Sequence, residues 1–145
     1  EGWQAAELMA HADQLRSFKL SLIEQPLPEK EDMILHEIDL PFCADESVHD
    51  CKDIEKLSGK YEWLNIKLDK AGGLTEALKL AHAGKDAGFK LMVGCMVSSS
   101  LALIPAYYLA QICDLADLDG PLFLTEDRPP CLRYKGAQIF HPPAA

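Results

Sequence analysis

A chain of 145 residues, 48% of them hydrophobic, is long enough to bury one ordinary domain core. Its formal net charge of -9 argues against nucleic acid and anionic membrane surfaces as partners, and no apolar run reaches the roughly 18 residues of a membrane-spanning helix. The five cysteines, Cys43, Cys51, Cys95, Cys113 and Cys131, form no C-x-x-C pair, which fits reduced thiols in a cytoplasm better than a disulfide framework or a zinc site.

The opening Glu1-Gly2-Trp3 has no basic region leading into an apolar run, so no signal peptide is read there; without an initiator Met the sequence reads as processed or as a fragment. A rough apolar stripe through Trp3, Ala6, Leu8, Met9 and Leu15 predicts a helix over 3–16. A strand over 18–23 ends at Glu24-Gln25-Pro26, and a short helix follows over 30–37. A strand over 41–44 leads into Asp45-Glu46-Ser47, and a helix over 48–57 is stopped by Gly59. A strand over 63–68 and the Gly72-Gly73 turn precede a helix over 74–87, which Gly88 ends. A strand over 89–93, an apolar helix over 99–113 with Pro105 as a candidate kink, and a strand over 116–118 complete the series. The tail over 125–145 holds four of the nine prolines and is expected to return as an irregular strand or hairpin. Strands alternating with helices of this length imply βα units and a parallel sheet.

Ionisable residues recur where these strands finish. Glu24, Asp45, Lys67 and Asp119 each close one, about one βα unit apart, while the fourth strand closes on Gly94-Cys95. In a parallel barrel all strand C-termini share one rim, where these groups would converge. Alternation supports this: Leu64, Ile66 and Leu68 share one face, Asn65 and Lys67 the other, and Asp117 and Asp119 oppose Leu118. A single such residue is well explained as a solvated loop charge; four at repeated strand ends favour convergence. Two carboxylates on adjacent strands suit Mg2+, and a lysine beside them suits proton transfer, although spacing alone equally allows a structural salt bridge.

Five motifs then occur in order: Ile23-Glu24-Gln25-Pro26, Ala44-Asp45-Glu46-Ser47, Asn65-Ile66-Lys67-Leu68-Asp69-Lys70-Ala71-Gly72-Gly73, Gly94-Cys95-Met96-Val97-Ser98-Ser99-Ser100, and Asp117-Leu118-Asp119-Gly120-Pro121-Leu122. From about Gly2 to Leu124 the series resembles the muconate-lactonizing subgroup of the enolase superfamily, most closely the dipeptide epimerases of the L-Ala-D/L-Glu epimerase type.

The resemblance implies an α/β fold, a partial (β/α)8 TIM barrel in which residues 1–145 supply strands four to eight. It implies Glu24 and Asp45 as two of three Mg2+ ligands and Lys67 as the acid/base lysine. Asp117 and Asp119 would hold the α-ammonium group of a dipeptide, and Cys95 and Met96 would line the substrate pocket. Lys70, the competitor for the base, is expected in a loop and off the face of Lys67. The resemblance places the first metal ligand, in an Asp-x-Asn motif, just before Glu1. It places a second lysine, in Lys-x-Lys, and a capping domain further upstream.

The implied function is Mg2+-dependent epimerisation by α-proton removal and return, with the isolated chain expected to be inactive. Alternatives are an o-succinylbenzoate synthase or muconate cycloisomerase-like enzyme, or a non-catalytic half-barrel. Open edge strands lead to an expectation of self-association or a homo-oligomer. The five histidines, none at a strand end, read as surface or packing residues.

Overall fold

The computed structural model describes residues 1–142. Five parallel strands form one sheet in the order β1-β2-β3-β4-β5, so each strand pairs with its sequence neighbour and the chain advances steadily round a curve. These are β1 (Ile23–Glu24), β2 (Phe42–Ala44), β3 (Trp63–Ile66), β4 (Lys90–Val93) and β5 (Leu115–Ala116). A two-stranded antiparallel hairpin, β6 (Arg133–Lys135) and β7 (Gln138–Phe140), turns at Gly136, whose φ of 58° suits glycine. The predicted tail hairpin is thus present; residues 143–145 of that expectation lie outside the described residues.

The helices are α1 (Ala5–Ser17), α2 (Ile54–Leu57), α3 (Leu68–Ala71), α4 (Leu74–Asp86) and α5 (Ser100–Ala110). Helix α1 starts two residues after the expected Trp3, where the Glu7 carboxylate accepts the Gln4 backbone N–H at 2.9 Å. Its Leu8 and Ala12, one turn apart, face the core.

Several expectations change; the strand over 63–68, for one, stops at Ile66, and Leu68 already belongs to α3. Residues 18–22 are not strand: the Phe18 N–H still bonds the Leu15 carbonyl, and Lys19 is left-handed at φ 49°. The helix over 48–57 is reduced to a 3-10 turn (Cys51–Asp53) and the single turn of α2. There Asp53 Oδ2 takes the His49 and Asp50 N–H groups and Asp50 Oδ1 takes the Lys52 N–H, a local bonding pattern that competes with helix. The fifth strand lies at 115–116 rather than 116–118.

The sheet has two unlike faces. Phe42, Ala44, Leu64, Ile66, Leu91 and Val93 point outward into the main core with Leu80, Ala81, Leu103 and Leu109 from α4 and α5. Helix α4 packs close, because a β-carbon at Gly84 would come within 2.8 Å of Leu64 Cδ1. Each fully buried leucine there contributes about 1.5–3 kcal/mol. Among the described residues the concave face carries a small apolar cluster of Cys43, Trp63 and Met92 with Leu22, and the sheet ends in two edge strands, β1 and β5. Leu115, on the concave side of β5, is 40% exposed.

Candidate active site

Strand alternation carries the concave face up to the C-terminal rim. Glu24 ends β1, Asp45 follows β2 and Lys67 follows β3. The structure brings these three together. Lys67 Nζ lies 2.6 Å from Asp45 Oδ2, and Asn65 Nδ2 donates to Glu24 Oε1 at 2.7 Å. Asn65 Oδ1 is buried without a hydrogen-bond partner. Glycine is required at position 94 beside it, since a β-carbon there would sit 2.5 Å from that oxygen.

Lys70 corrects the expectation that it lies in a loop away from Lys67. Its ammonium group bonds both Oδ1 and the backbone carbonyl of Asp45. The reason is α3, an unpredicted turn of helix that Lys67 caps: residues three apart on such a turn fall on the same side. Asp45 is therefore clamped between two lysines. All three side chains are largely enclosed, 14% and 18% exposed for the lysines and 9% for Asp45.

These contacts set the electrostatics. Burial pushes the Asp45 carboxyl up, but the hydrogen bonds and charges of Lys67 and Lys70 outweigh it and hold the group below its ordinary value. Burial likewise works to lower Lys67, yet Asp45 and the charge of Glu24 raise it overall. For Lys70 burial wins and its ammonium is held below the usual lysine range. Glu24 is raised, first by desolvation and then by Asp45, with the Asn65 amide working the other way.

A buried amide fixes the turns that carry both carboxylates. Gln25, 2% exposed, accepts the N–H groups of Asp45 (2.9 Å) and Ser47 (3.1 Å) on Oε1. Its Nε2 lies within 3.0 Å of the Leu27 carbonyl, Ser47 Oγ and the Tyr61 hydroxyl. Ser47 and Tyr61 in turn donate to Asp32, whose other oxygen receives Lys60 at 2.7 Å. Gln25 holds this place at a left-handed φ of 30°. Sequence reading assigned no role to Gln25, Ser47 or Asn65. The available signals were a polar residue next to Glu24 and the shared face of Asn65 and Lys67.

At the other end of the rim, Asp117 follows β5, and Asp119 opens a 3-10 turn (Gly120–Phe123). Leu118 between them is 1% exposed in the core while both aspartates are exposed, as alternation predicts. Burial and then the charge and hydrogen-bonding reach of Asp119 raise the Asp117 carboxyl, and the positive charge of Lys67 is felt there too. Cys95 is half-buried beside this pair, its thiol raised by burial and by both aspartates, and Met96 is 55% exposed. A β-carbon at Gly120 would lie 2.7 Å from the Met96 carbonyl, so the 95–98 and 117–120 loops are wedged together.

Residues 1–122 match the family described as enolase C-terminal domain-like. The chain belongs to that family. Among enolase-like relatives, it is 45% identical over 141 residues to an N-acetyl-D-glutamate racemase of Pseudoalteromonas sp and 43% identical to the L-Ala-D/L-Glu epimerase of Escherichia coli K12. Each alignment covers 96% of this chain but only 45% and 44% of the relative, so the chain spans under half the length of these curated relatives. A solved L-Ala-D/L-Glu epimerase superposes with a TM-score of 0.90 at 43% identity, covering 96% of this chain and 44% of that one. An enolase-family structure from Agrobacterium tumefaciens, described as homologous to dipeptide epimerases with bound sodium and L-Ala-L-Glu, gives a TM-score of 0.93 at 46% identity, covering all of this chain and 44% of that one. The fold is accordingly a partial enolase-type TIM barrel, and the relatives are racemases and epimerases.

Donor chemistry decides whether a hard cation fits this enolase-like rim. Glu24 and Asp45 place carboxylates on adjacent strands; both Asp45 oxygens already receive ammonium groups, which a cation would have to displace, while desolvated Glu24 carries a negative charge that a divalent cation would relieve. The Asn65 amide nitrogen donates to Glu24, and its buried oxygen, beside Gly94, has no partner. Among the described residues no group of three or more His, Cys, Asp or Glu side chains forms that could hold a metal ion.

Proposed function

We propose that residues 1–145 form the C-terminal part of the barrel domain of a Mg2+-dependent dipeptide epimerase. The observation that carries this reading is the gathering of Glu24, Asp45 and Lys67 on the rim that also presents Asp117 and Asp119. Glu24 and Asp45 would hold Mg2+. When bound there, the cation supplies positive charge for the substrate carboxylate, which stabilises the negative charge that develops as the adjacent carbon loses its proton.

Lys67 is the group that takes that proton. In the chain's own field burial works to lower Lys67, and Asp45, with the charge of Glu24, keeps it charged; Glu24 and Asp45 would hold the cation, and a positive charge held there would favour the neutral, proton-accepting form of Lys67. Asp117 and Asp119 receive the α-ammonium group through charge-assisted hydrogen bonds, and Cys95 and Met96 border the same space. Inversion needs a second proton donor on the opposite face of the carbon, a role we assign to a residue outside this chain. On that reading the isolated chain gives no epimerisation.

Composition and the free thiols support a cytoplasmic setting, with neither nucleic acid nor membrane as partner. Among the described residues no helix is long and apolar enough to cross a membrane. The edges of β1 and β5 support pairing with further barrel strands or a second copy.

A second reading, racemisation of an N-acyl amino acid, is favoured by the 45% identity to the N-acetyl-D-glutamate racemase. The two readings differ at Asp117 and Asp119, because an acylated nitrogen carries no charge to pair with them. The test is the double substitution Asp117→Asn with Asp119→Asn in the full-length polypeptide carrying this chain. We expect KM for L-Ala-L-Glu to rise about 10- to 100-fold, the scale of hydrogen bonds to a charged group, while Mg2+ affinity is unchanged. Unchanged dipeptide kinetics together with turnover of N-acetylglutamate would replace the first reading by the second.

A further inference from the structure

The segment after residue 122 lies beyond the stretch that matches the family, yet it fastens to the rim at two points. Asp127 caps α5: Oδ1 accepts the Ser100 backbone N–H at 2.8 Å, and Oδ2 accepts the Ser100 hydroxyl. That hydroxyl also receives the Leu132 N–H at 2.8 Å, so the tail is pinned where α5 leaves the 95–99 loop. The second fastening comes at Tyr134, after Asp127 in the chain, where the Tyr134 hydroxyl donates to the Leu118 carbonyl at 2.7 Å.

Leu118 stands between the two rim aspartates. Its side chain is locked in the core, and its carbonyl accepts the Tyr134 hydroxyl. The sheet gives little help here, because β5 is a two-residue edge strand. The Asp117 N–H still bonds the Val93 carbonyl at 2.8 Å; past it, the anchoring passes to Tyr134 and to the close contact of Gly120 with Met96. Two carboxylates that repel one another splay unless their backbone is held.

We infer that Tyr134 is a positioning residue for substrate recognition: through the Leu118 carbonyl it sets the spacing and aim of the Asp117 and Asp119 carboxylates toward a substrate ammonium group. This rests on the dipeptide reading above and adds a residue outside the family-matched region. Tyr134 touches no substrate; its effect travels along one peptide unit.

The experiment compares Tyr134→Phe, Asp119→Asn and the double variant in the full-length polypeptide, with L-Ala-L-Glu as substrate and thermal melts as a check on folding. Tyr134→Phe removes one oxygen and keeps the packed ring, so KM should rise about 3- to 10-fold with kcat within about twofold, as loss of one positioning hydrogen bond implies. In the Asp119→Asn background the same change should add less than about twofold, because the pair it aligns is already broken.

An equal rise in both backgrounds would mean the bond only stabilises the fold and would overturn the inference, as would a fall in kcat at constant KM. Should Asp119→Asn itself leave KM unmoved, the dipeptide reading fails, whatever Tyr134 does. Asp127→Asn, which loosens the other fastening, covers the case in which Tyr134→Phe does not fold. It should give a smaller KM rise of about twofold that likewise vanishes in the Asp119→Asn background, and persistence of that rise would count against the inference.

Discussion

At the β1–β3 end of the rim the negative charges are answered inside the chain, Asp45 by two ammonium groups and Glu24 by an amide. At the β5 end Asp117 meets another carboxylate. One end is neutralised before any ligand arrives; the other is left with surplus charge facing outward. On the proposed reading, the difference separates two tasks. Groups that handle a proton must be held in one geometry, whereas groups that recognise a cation are most useful when nothing in the protein competes for them.

The largest effect that would break this contrast is chemical. Lys67→Met in the full-length polypeptide should slow deuterium exchange at the substrate α-carbon by about 100- to 10,000-fold, the usual contribution of a positioned acid/base group. Exchange within tenfold of the parent would move that role away from Lys67.

Next in size is stability. Asp45→Asn leaves two enclosed ammonium groups facing a neutral amide and should cost about 3 kcal/mol in urea unfolding. Asp119→Asn should cost nothing measurable. Equal losses at the two positions would erase the distinction between the ends.

The smallest effect is in the pH dependence, and its sign differs between the ends. The Asp45 pKa is depressed in the folded state, so its contribution is present above the unfolded value of 3.8 and lost as pH falls through the folded one. The Asp117 pKa is raised, so the folded state binds its proton more readily, and stability falls as pH rises from 3.8 through the folded value. Asp119→Asn should flatten the second slope and leave the first, as followed by melting temperature between about pH 3 and pH 6.

Much of this arrangement was legible because it depends on short-range periodicity. The alternation in Leu64-Asn65-Ile66-Lys67 assigns faces without any knowledge of partners, and the βα repeat brings Glu24, Asp45 and Lys67 to one rim. What escaped needed local backbone detail or distant partners. The helical turn continuing through Phe18 and the left-handed Lys19 ended a stretch that reads as strand, and the Asp50 and Asp53 side chains undid an expected helix. Lys70 was misplaced because the single turn of α3 is too short to show a period. Gln25 meets Tyr61 across 36 residues, and no pattern in the Ile23–Pro26 motif announces that partner.

The Gln25 amide has a further consequence for what evolution or design could place beside Glu24. Its oxygen faces two backbone N–H groups and its nitrogen faces only acceptors or hydroxyls already committed to Asp32, so rotating the amide would set like against like on both sides. A glutamate there would turn an acceptor toward the Leu27 carbonyl, and a leucine would strand the Asp45 and Ser47 N–H groups in a dry interior. Position 25 thus tolerates only a group that donates at one end and accepts at the other, and Asp45 inherits its orientation from that polarity.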